Sequence, residues 1–245
     1  MTHMTSRFRA ILASAGLAYF AVAFPATGEV PDLTGVWTNY RNPNAPAPTR
    51  GARAELPLTP EAKAKRDRYQ QVTNGTNYTP GGYCVGGGMP GSMLGSGGYP
   101  MEIIQRPEQI TVVYEAHNEV RRIYFGARAP DPATMFPERN GFSIGRWDGD
   151  TLIVETSKLV EQVDTAYPHS AEARIVEEYR VSEENGTRVL TAKMTMTDPK
   201  FLTAPFTMEK KWQAIPNGVV RTYECTEPTW LDLLDRLMKG EETKP

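Results

Sequence analysis

The sequence is short of the side chains from which metal and nucleic-acid sites are usually built. Among 245 residues there are three histidines and two cysteines, and the formal net charge is only −2. Because the charged residues are interspersed and form no basic face, nucleic acid is not an expected partner. Because histidines and cysteines are so few, we expect no zinc site. No cofactor motif is apparent either, so no cofactor is expected.

Long apolar runs are also missing, with one exception near the N-terminus. Residues 10–24 are apolar, follow Arg7 and Arg9, and precede small residues. This pattern is typical of a secretory signal, and the run is shorter than the roughly 20 residues of a membrane span. We therefore expect a signal peptide at 1–28 and one domain at 29–245. The protein is then exported to the bacterial periplasm or secreted, with no membrane contact after cleavage; a retained anchor is the alternative.

The two cysteines support the same compartment. In an oxidising space an even cysteine count favours pairing, so we expect a disulfide between Cys84 and Cys225. Such a bond would connect a glycine-rich stretch to the last predicted strand. Two free buried thiols are the alternative.

Most of the chain after residue 101 has the alternating pattern of β-strands. Strand-like runs are separated by turn signals at Asp148-Gly149-Asp150, Glu184-Asn185-Gly186 and Pro216-Asn217-Gly218. We predict nine or ten short strands, including one at 219–225, in an all-β antiparallel sandwich or closed barrel.

Three segments do not fit the strand pattern. Thr59, followed by proline and glutamate, predicts the start of a surface helix at 59–71. The second segment is a glycine-rich stretch at 81–98 that also contains Met89 and Met93. We interpret this stretch as either a lid or a closely packed backbone path. Copper binding by its methionines is a weaker alternative because no histidine is nearby.

The third such segment is an amphipathic helix predicted at 229–239. Leu231, Leu234 and Met238 share one face at helical spacing. We expect this face to close one end of the barrel.

The sequence resembles two groups of proteins. Gly35-Val36-Trp37 on a first strand and Arg221 on a last strand are similar to lipocalin-like (calycin) barrels, which implies a single lipocalin-like barrel with Trp37 packed on Arg221. The mature chain also resembles a large, mostly uncharacterised family of exported bacterial proteins. Members of that family usually have histidine where this chain has Phe142, so no role of that histidine is carried over. The resemblance rests on PDLTGVW, PLTPEAKAK, YPMEIIQRPEQITVVYEAHNEVRRIYFGARAPDP, GFSIGRWDGDTLIVET and PHS followed by EEY.

The loop after the predicted strand at 151–156 collects candidate acid–base groups. It contains Asp164, His169 and Ser170, and an imidazole oriented by a carboxylate can transfer protons near neutral pH. A buried structural histidine is the alternative interpretation. A hydrolase triad is not expected, because the serine and histidine are adjacent and no G-x-S-x-G elbow occurs. His117 is predicted to be an exposed turn residue.

A second candidate set lies on the strands. Arg121 and Arg122 are adjacent on a predicted strand, so one of them must point among apolar side chains. A buried arginine needs an acid partner, for which Glu102, Glu115 and Glu177 are available. The pair is then either a structural ion pair or a clamp for a substrate.

The leading hypothesis is a cofactor-independent lyase or isomerase acting on a small apolar oxygenated molecule in a barrel pocket. In this hypothesis His169 is the general acid or base, Asp164 orients the imidazole ring, and Arg121 and Tyr124 hold the oxyanion. A periplasmic binding or carrier protein is the alternative, and copper handling is less favoured. In both leading hypotheses the partner is a small molecule, whose contacts we expect to come from Arg122, Glu115, Asn118, Glu177, Met89 and Met93.

Overall fold

The chain forms one closed β-barrel, as predicted. The computed structural model describes residues 30–42, 55–76, 79–95 and 98–240, with only the backbone for 227–230 and 233. Each strand pairs with the next one along the chain, and the ninth pairs with the first. The strands are β1 (Gly35–Asn39), β2 (Met101–Arg106), β3 (Gln109–Tyr114), β4 (Val120–Phe125), β5 (Phe142–Asp148), β6 (Thr151–Ser157), β7 (Arg174–Glu184), β8 (Thr187–Thr197) and β9 (Phe206–Ile215).

One pairing differs from the prediction of an antiparallel barrel. Strands β4 and β5 are parallel, with Ile123 opposite Ser143 and Phe125 opposite Gly145, so the barrel is mixed. Parallel neighbours require a connection that returns along the whole strand length. Here residues 126–141 make that return, and they include two short 3-10 turns (Gly126–Arg128 and Pro132–Thr134).

The predicted strand at 219–225 is wrong. Residues 218–225 are irregular, and the last strand is β9. Strand β9 already pairs with β8 along one edge and with β1 along the other, where Val36 lies opposite Ile215. Both of its edges are therefore occupied, and no position remains for a tenth strand.

The turns predicted at 148–150 and 184–186 join hairpins as expected, whereas the turn at 216–218 is followed by no strand. Asn185 and Gly186 have φ of 52° and 71° between β7 and β8, and Gly149 has φ of 58° between β5 and β6. Two consecutive residues with positive φ are what a type I′ hairpin turn requires, which explains the asparagine-glycine pair. The registers of the two longest strands follow from this turn, from Arg174 opposite Thr197 to Glu184 opposite Thr187.

The first-strand tryptophan is buried, but its arginine partner is not the predicted one. The guanidinium of Arg188, on β8, lies 5.0 Å from the ring centroid of Trp37. Arg188 also donates hydrogen bonds to the carbonyls of Asp32 and Thr34. The proposed partner Arg221 lies in the irregular segment after β9, because the strand expected to carry it does not form.

Three α-helices are present in the described part of the chain. Helix α1 (Pro60–Thr73) confirms the predicted surface helix, and the Thr59 hydroxyl accepts a hydrogen bond from the Ala62 amide at its start. Helix α2 (Gly91–Gly95) is a single turn inside the glycine-rich stretch. Helix α3 (Thr226–Met238) confirms the C-terminal helix and begins slightly earlier than expected.

The prediction that helix α3 closes the barrel is wrong. Leu231, Leu234 and Met238 are all exposed to solvent. Their exposure shows that the apolar face of the helix does not pack on the barrel.

Side chains of the protein itself fill the inside of the barrel. Alternate residues of every strand point inward, and one continuous apolar cluster includes Trp37, Ile110, Leu152, Met194 and Trp212. Lys210 is an exception on the inward face of β9, where burial lowers the pKa of its ammonium group. The described interior is therefore packed with apolar side chains, and the cavities discussed below lie at one end and on the outer wall of the barrel.

The expected signal peptide lies outside the described residues. Within the described ranges, no helix has both the length and the apolar character needed to cross a bilayer.

Candidate functional site

The catalytic pair predicted from the sequence does not form. His169 is completely buried, and its Nδ1 lies 2.8 Å from the Tyr167 carbonyl oxygen. Its Nε2 is also buried and has no hydrogen-bond partner. Burial lowers the pKa of the imidazole below its ordinary value. His169 is therefore a neutral, enclosed ring in the loop between β6 and β7.

Asp164 is held by an arginine and not by His169. Arg139 donates to both carboxylate oxygens of Asp164, with N–O distances of 3.2 and 3.3 Å. The expectation that Asp164 orients His169 is corrected, since that ring bonds to the Tyr167 carbonyl instead. The physical reason is that a planar guanidinium matches a carboxylate in a two-point contact, which one ring nitrogen cannot do.

Arg121 is the arginine that points into the barrel. It donates to both carboxylate oxygens of Glu177 and to the hydroxyls of Ser143 and Thr156, and Tyr179 donates to Glu177. These side chains are all buried, so they form an enclosed polar network. Of the two roles considered for the pair, the structure favours a structural ion pair inside the barrel, between β4 and β7.

The charges of this network are maintained by the pairing. Burial opposes the positive charge of Arg121, but Glu177, through its charge and its hydrogen bonds, acts together with Tyr179 and Tyr114 to raise the pKa of the guanidinium overall. Burial raises the pKa of Tyr179 and of nearby Tyr114, so both phenols stay protonated. The hydroxyl of Tyr114 is buried without a hydrogen-bond partner.

The predicted oxyanion pair of Arg121 and Tyr124 is also wrong. Tyr124 is three residues further along β4, so it points to the opposite face, where its ring stacks on Phe142 at 5.7 Å. Arg122 points outward as well and is exposed.

The other predicted contact residues have structural roles. Glu115 accepts the backbone amide of Arg221, and Asn118 exchanges two hydrogen bonds with the backbone of Tyr223. Both residues thus fix the irregular segment after β9 onto the turn between β3 and β4.

The two methionines are also not in a movable lid. Met89 and Met93 are buried and belong to the apolar core. Of the two structures considered for residues 81–98, the closely packed path describes residues 81–95, because other side chains bond to their backbone. Arg139 donates to the Gly86 carbonyl and Gln162 to the Gly87 carbonyl. The expected disulfide between Cys84 and Cys225 is present.

Glu119 is the centre of the hydrogen bonding around this glycine-rich path. Its carboxylate accepts from the Gly88 amide, the Asn140 amide group and the Ser92 hydroxyl. A side chain at Gly86 would overlap the Glu119 carboxyl group. Gly88 has φ of 66°, and a Cβ there would lie 2.5 Å from the Arg139 carbonyl oxygen. Glycine is therefore required at both positions, because the Glu119 side chain and the Arg139 backbone lie too close for a Cβ atom.

His117 lies at the edge of this structure in an unusual backbone conformation. Its φ and ψ are 60° and 14°, in the left-handed region that residues other than glycine seldom adopt. The ring packs on Tyr223, with centroids 4.8 Å apart, and its Nδ1 is buried without a hydrogen-bond partner. The prediction of an exposed turn residue was correct for the turn only, because the side chain is half-buried.

These residues surround a groove at the end of the barrel where β3 ends and β4 begins. Two cavities of about 200 and 210 Å³ share Gly87, Gly91, Gly95 and His117 in their walls. We call this the glycine-walled groove. Ser92 and Glu119 line one part of it, and Arg139 and Asp164 line the other. The groove thus combines an imidazole, a guanidinium, a hydroxyl and two carboxylates.

Sequence reasoning missed Ser92, Glu119 and Arg139, and it gave His117 no role. The run Gly86-Gly87-Gly88 was the available signal, since consecutive glycines mark close approach of other groups to a backbone. The distant side chains that bond to this run lie 31 to 75 residues away in the chain, so local patterns did not identify them.

Comparison with known proteins adds no identification. No family model matches the chain, and neither the curated proteins nor the solved structures contain a significant match. Within the described ranges, no cluster of three or more histidine, cysteine, aspartate or glutamate side chains has the arrangement needed for a metal ion.

Proposed function

We propose that this protein is an exported acid–base enzyme, of the lyase or isomerase class, that acts on a small oxygenated molecule in the glycine-walled groove. The observation that carries the proposal is His117, whose ring lines both cavities from a left-handed backbone position. Strained backbone of this kind persists only where the surrounding structure holds it, and it is concentrated at functional sites. The site thus differs from the barrel interior suggested by the sequence pattern.

The surroundings of His117 suit proton transfer. Imidazole is the side chain that changes charge near neutral pH and serves most often as a general acid or base. The ring is fixed by Tyr223, whose backbone is held by Asn118 and by the nearby disulfide at Cys225. A fixed ring beside an open cavity is the arrangement that a general base needs.

Arg139 is the group suited to binding the substrate. Its guanidinium lies in the wall of the second cavity and is oriented by Asp164 and by the Gly86 carbonyl. A positioned guanidinium stabilises a developing oxyanion next to the carbon that loses its proton. The polar walls and the modest volume of the groove favour a small molecule with a carbonyl or carboxylate group.

The proposal of export rests on two features. The disulfide is typical of proteins that fold in an oxidising compartment, and the N-terminal pattern is typical of a signal peptide. We infer the bacterial periplasm or the medium as the site of action.

Proton exchange tests this function across several classes of small molecule at once. The purified protein is incubated in D₂O with a panel of small ketones, aldehydes and hydroxy acids, and mass spectrometry records deuterium uptake and altered products. We expect exchange or conversion of at least one class, and a loss of about 100-fold or more in His117→Gln.

The matched control is His169→Gln, which changes the buried histidine of the neighbouring loop. Equal activity of wild type and His117→Gln on a converted compound would exclude His117 as the acid or base. Absence of exchange across the panel, with compounds bound but unaltered, would favour the alternative below.

The alternative is a binding or carrier protein that uses the same groove. The observation in its favour is that both carboxylates are already engaged, Glu119 by three donors and Asp164 by Arg139. Neither carboxylate is then available as a base. In this case Arg139→Gln weakens ligand binding, whereas His117→Gln changes it little, and no compound is converted.

A further inference from the structure

A further cavity lies on the outer wall of the barrel, beside the segment that connects its one parallel strand pair. Because β4 and β5 run in the same direction, residues 126–141 must return outside the barrel. Pro132 of this return segment borders a cavity of about 400 Å³ whose floor is the outer face of β5, β6 and β7. We call it the outer groove. Its volume lies within the range of small-molecule sites, which is roughly 300–1,000 Å³.

The floor of the outer groove is apolar where a soluble sheet face is normally polar. Ile144 on β5 and Val176 on β7 lie on either side of Glu155 on β6, and their side chains are 37% and 42% exposed. Ile153 adds a third apolar side chain. Glu155 separates Ile144 from Val176, so the three apolar side chains meet diagonally, through Ile153. Exposed apolar side chains gathered in one cavity mark a surface that can bind another molecule.

The charged groups around this floor indicate the charge of the ligand. Arg146 and Arg174 line the cavity at its two ends, and Glu155 lies between them. Two guanidinium groups against one carboxylate leave an excess of one positive charge. Neither guanidinium group makes an ion pair or a side-chain hydrogen bond with any residue that the structure describes. Both remain available to an anionic group.

We propose that the outer groove binds an amphipathic monoanion, with an apolar body on Ile144, Ile153 and Val176 and an acidic group at Arg174 or Arg146. This site is separate from the glycine-walled groove, which is lined by different residues at one end of the barrel. It does not depend on the function proposed above.

Calorimetric titration with three probes of equal chain length tests the charge preference. The probes are decanoate, decanol and decyltrimethylammonium, added to the full chain with its disulfide intact. We expect decanoate to bind best and the cation worst. Each of Arg146→Gln and Arg174→Gln should weaken decanoate binding about fivefold, the effect of one exposed ion pair, and the double variant should weaken it further.

Two further variants locate the site. Arg122→Gln removes an exposed arginine that lies outside the outer groove, so it should leave decanoate affinity unchanged. Val176→Trp fills the groove at an exposed position and should abolish binding while the melting temperature is retained. His117→Gln should have no effect, which separates this site from the glycine-walled groove.

Three results would overturn the proposal. They are equal affinity for the cation and for decanoate, an equal loss of affinity in Arg122→Gln and Arg174→Gln, or normal decanoate binding by Val176→Trp.

Discussion

Arg121 and Glu177 show how a buried charge is accommodated in a barrel core. Each is almost fully shielded from water, and together they engage Ser143, Thr156 and Tyr179. Removing two charges from water is expensive, and their attraction offsets the cost only when the remaining hydrogen-bonding positions are also satisfied. The network therefore specifies how β4, β5, β6 and β7 are placed more than it adds stability.

Removing one member of this pair should cost more than removing both. We expect Arg121→Met to lower the free energy of unfolding by about 3–5 kcal/mol, because Glu177 remains as a buried, unpaired charge. The double variant Arg121→Met/Glu177→Leu should recover most of that loss. Urea denaturation measures the free energy of unfolding of the single and double variants. Arg122→Met, at an exposed position, is the control, and its free energy of unfolding should lie within about 0.5 kcal/mol of wild type. A double variant no more stable than the single one would contradict this account.

His169 links folding stability to pH. The folded protein holds the pKa of this imidazole below its ordinary value of 6.5 because burial penalises the charged form. As the pH falls below about 6.5, the unfolded chain therefore binds a proton that the folded chain resists, and the folded state loses stability. Above 6.5 both states are neutral at this residue and the effect disappears.

The variant His169→Gln isolates this contribution. We compare the free energies of unfolding of wild type and variant by urea denaturation from pH 7.5 to pH 5. The advantage of wild type over the variant should shrink as the pH falls, since other titrating groups cancel in the difference. A difference that stays constant or grows on acidification would show that the ring is not held neutral.

At the scale of elements, the glycine-rich segment acts as a wall. Glycine usually weakens order because its unfolded chain has high conformational entropy. Here side chains from three other segments bond to its backbone, through Arg139, Gln162 and Glu119. The disulfide at Cys84 adds a covalent connection. Contacts made by distant residues thus order a stretch whose composition alone favours disorder.

Two glycines of this segment offer a matched comparison. Gly86→Ala should destabilise the fold by about 1–3 kcal/mol, because the added methyl group overlaps the Glu119 carboxyl. Gly95→Ala should be close to neutral, because nothing lies within 4 Å of its added Cβ. Thermal unfolding of both variants checks the difference. Similar melting temperatures would mean that Glu119 moves away at little cost.

Helix α3 shows the limit of pattern reading at this scale. The amphipathic spacing correctly predicts a helix, but Leu231, Leu234 and Met238 are exposed and do not cover the barrel end. An apolar face predicts that a helix can pack against another surface, but it does not identify that surface.

At the scale of the whole molecule, one covalent bond spans most of the fold. Cys84 and Cys225 are 141 positions apart, and their bond joins the glycine-rich segment to the irregular segment before α3. The same irregular segment carries Tyr223, against which His117 packs. The disulfide thus contributes both to overall stability and to the shape of the glycine-walled groove.

The double variant Cys84→Ser/Cys225→Ser should be markedly less stable. In the chain-entropy model a closed loop of this length is worth roughly 4–5 kcal/mol, which is an upper figure. Urea denaturation of oxidised wild type, reduced wild type and the variant gives the value. Reduced wild type should match the variant, and a variant as stable as the oxidised protein would show that the bond constrains the unfolded chain little.

Local patterns in the sequence determined much of the barrel. Alternation of apolar residues predicts β1 to β9, the pair Asn185-Gly186 predicts the β7–β8 turn, and Thr59 before proline predicts the start of α1, because each depends on neighbouring residues only. The same signals wrongly predict a hairpin at Asn217-Gly218, because both edges of β9 are already paired. The paired cysteines were also expected, from their even number and the export pattern.

Only the tertiary structure decided the rest. Both faces of β4 contain apolar residues, so the choice between Arg121 and Arg122 as the inward arginine required the pairing with Glu177. The parallel β4–β5 pair, the closure of β9 onto β1 and the burial of His169 likewise depend on contacts between segments far apart in the chain. Contacts of this kind produce no local periodicity in the sequence. The groove around His117 could therefore be identified only from the folded structure.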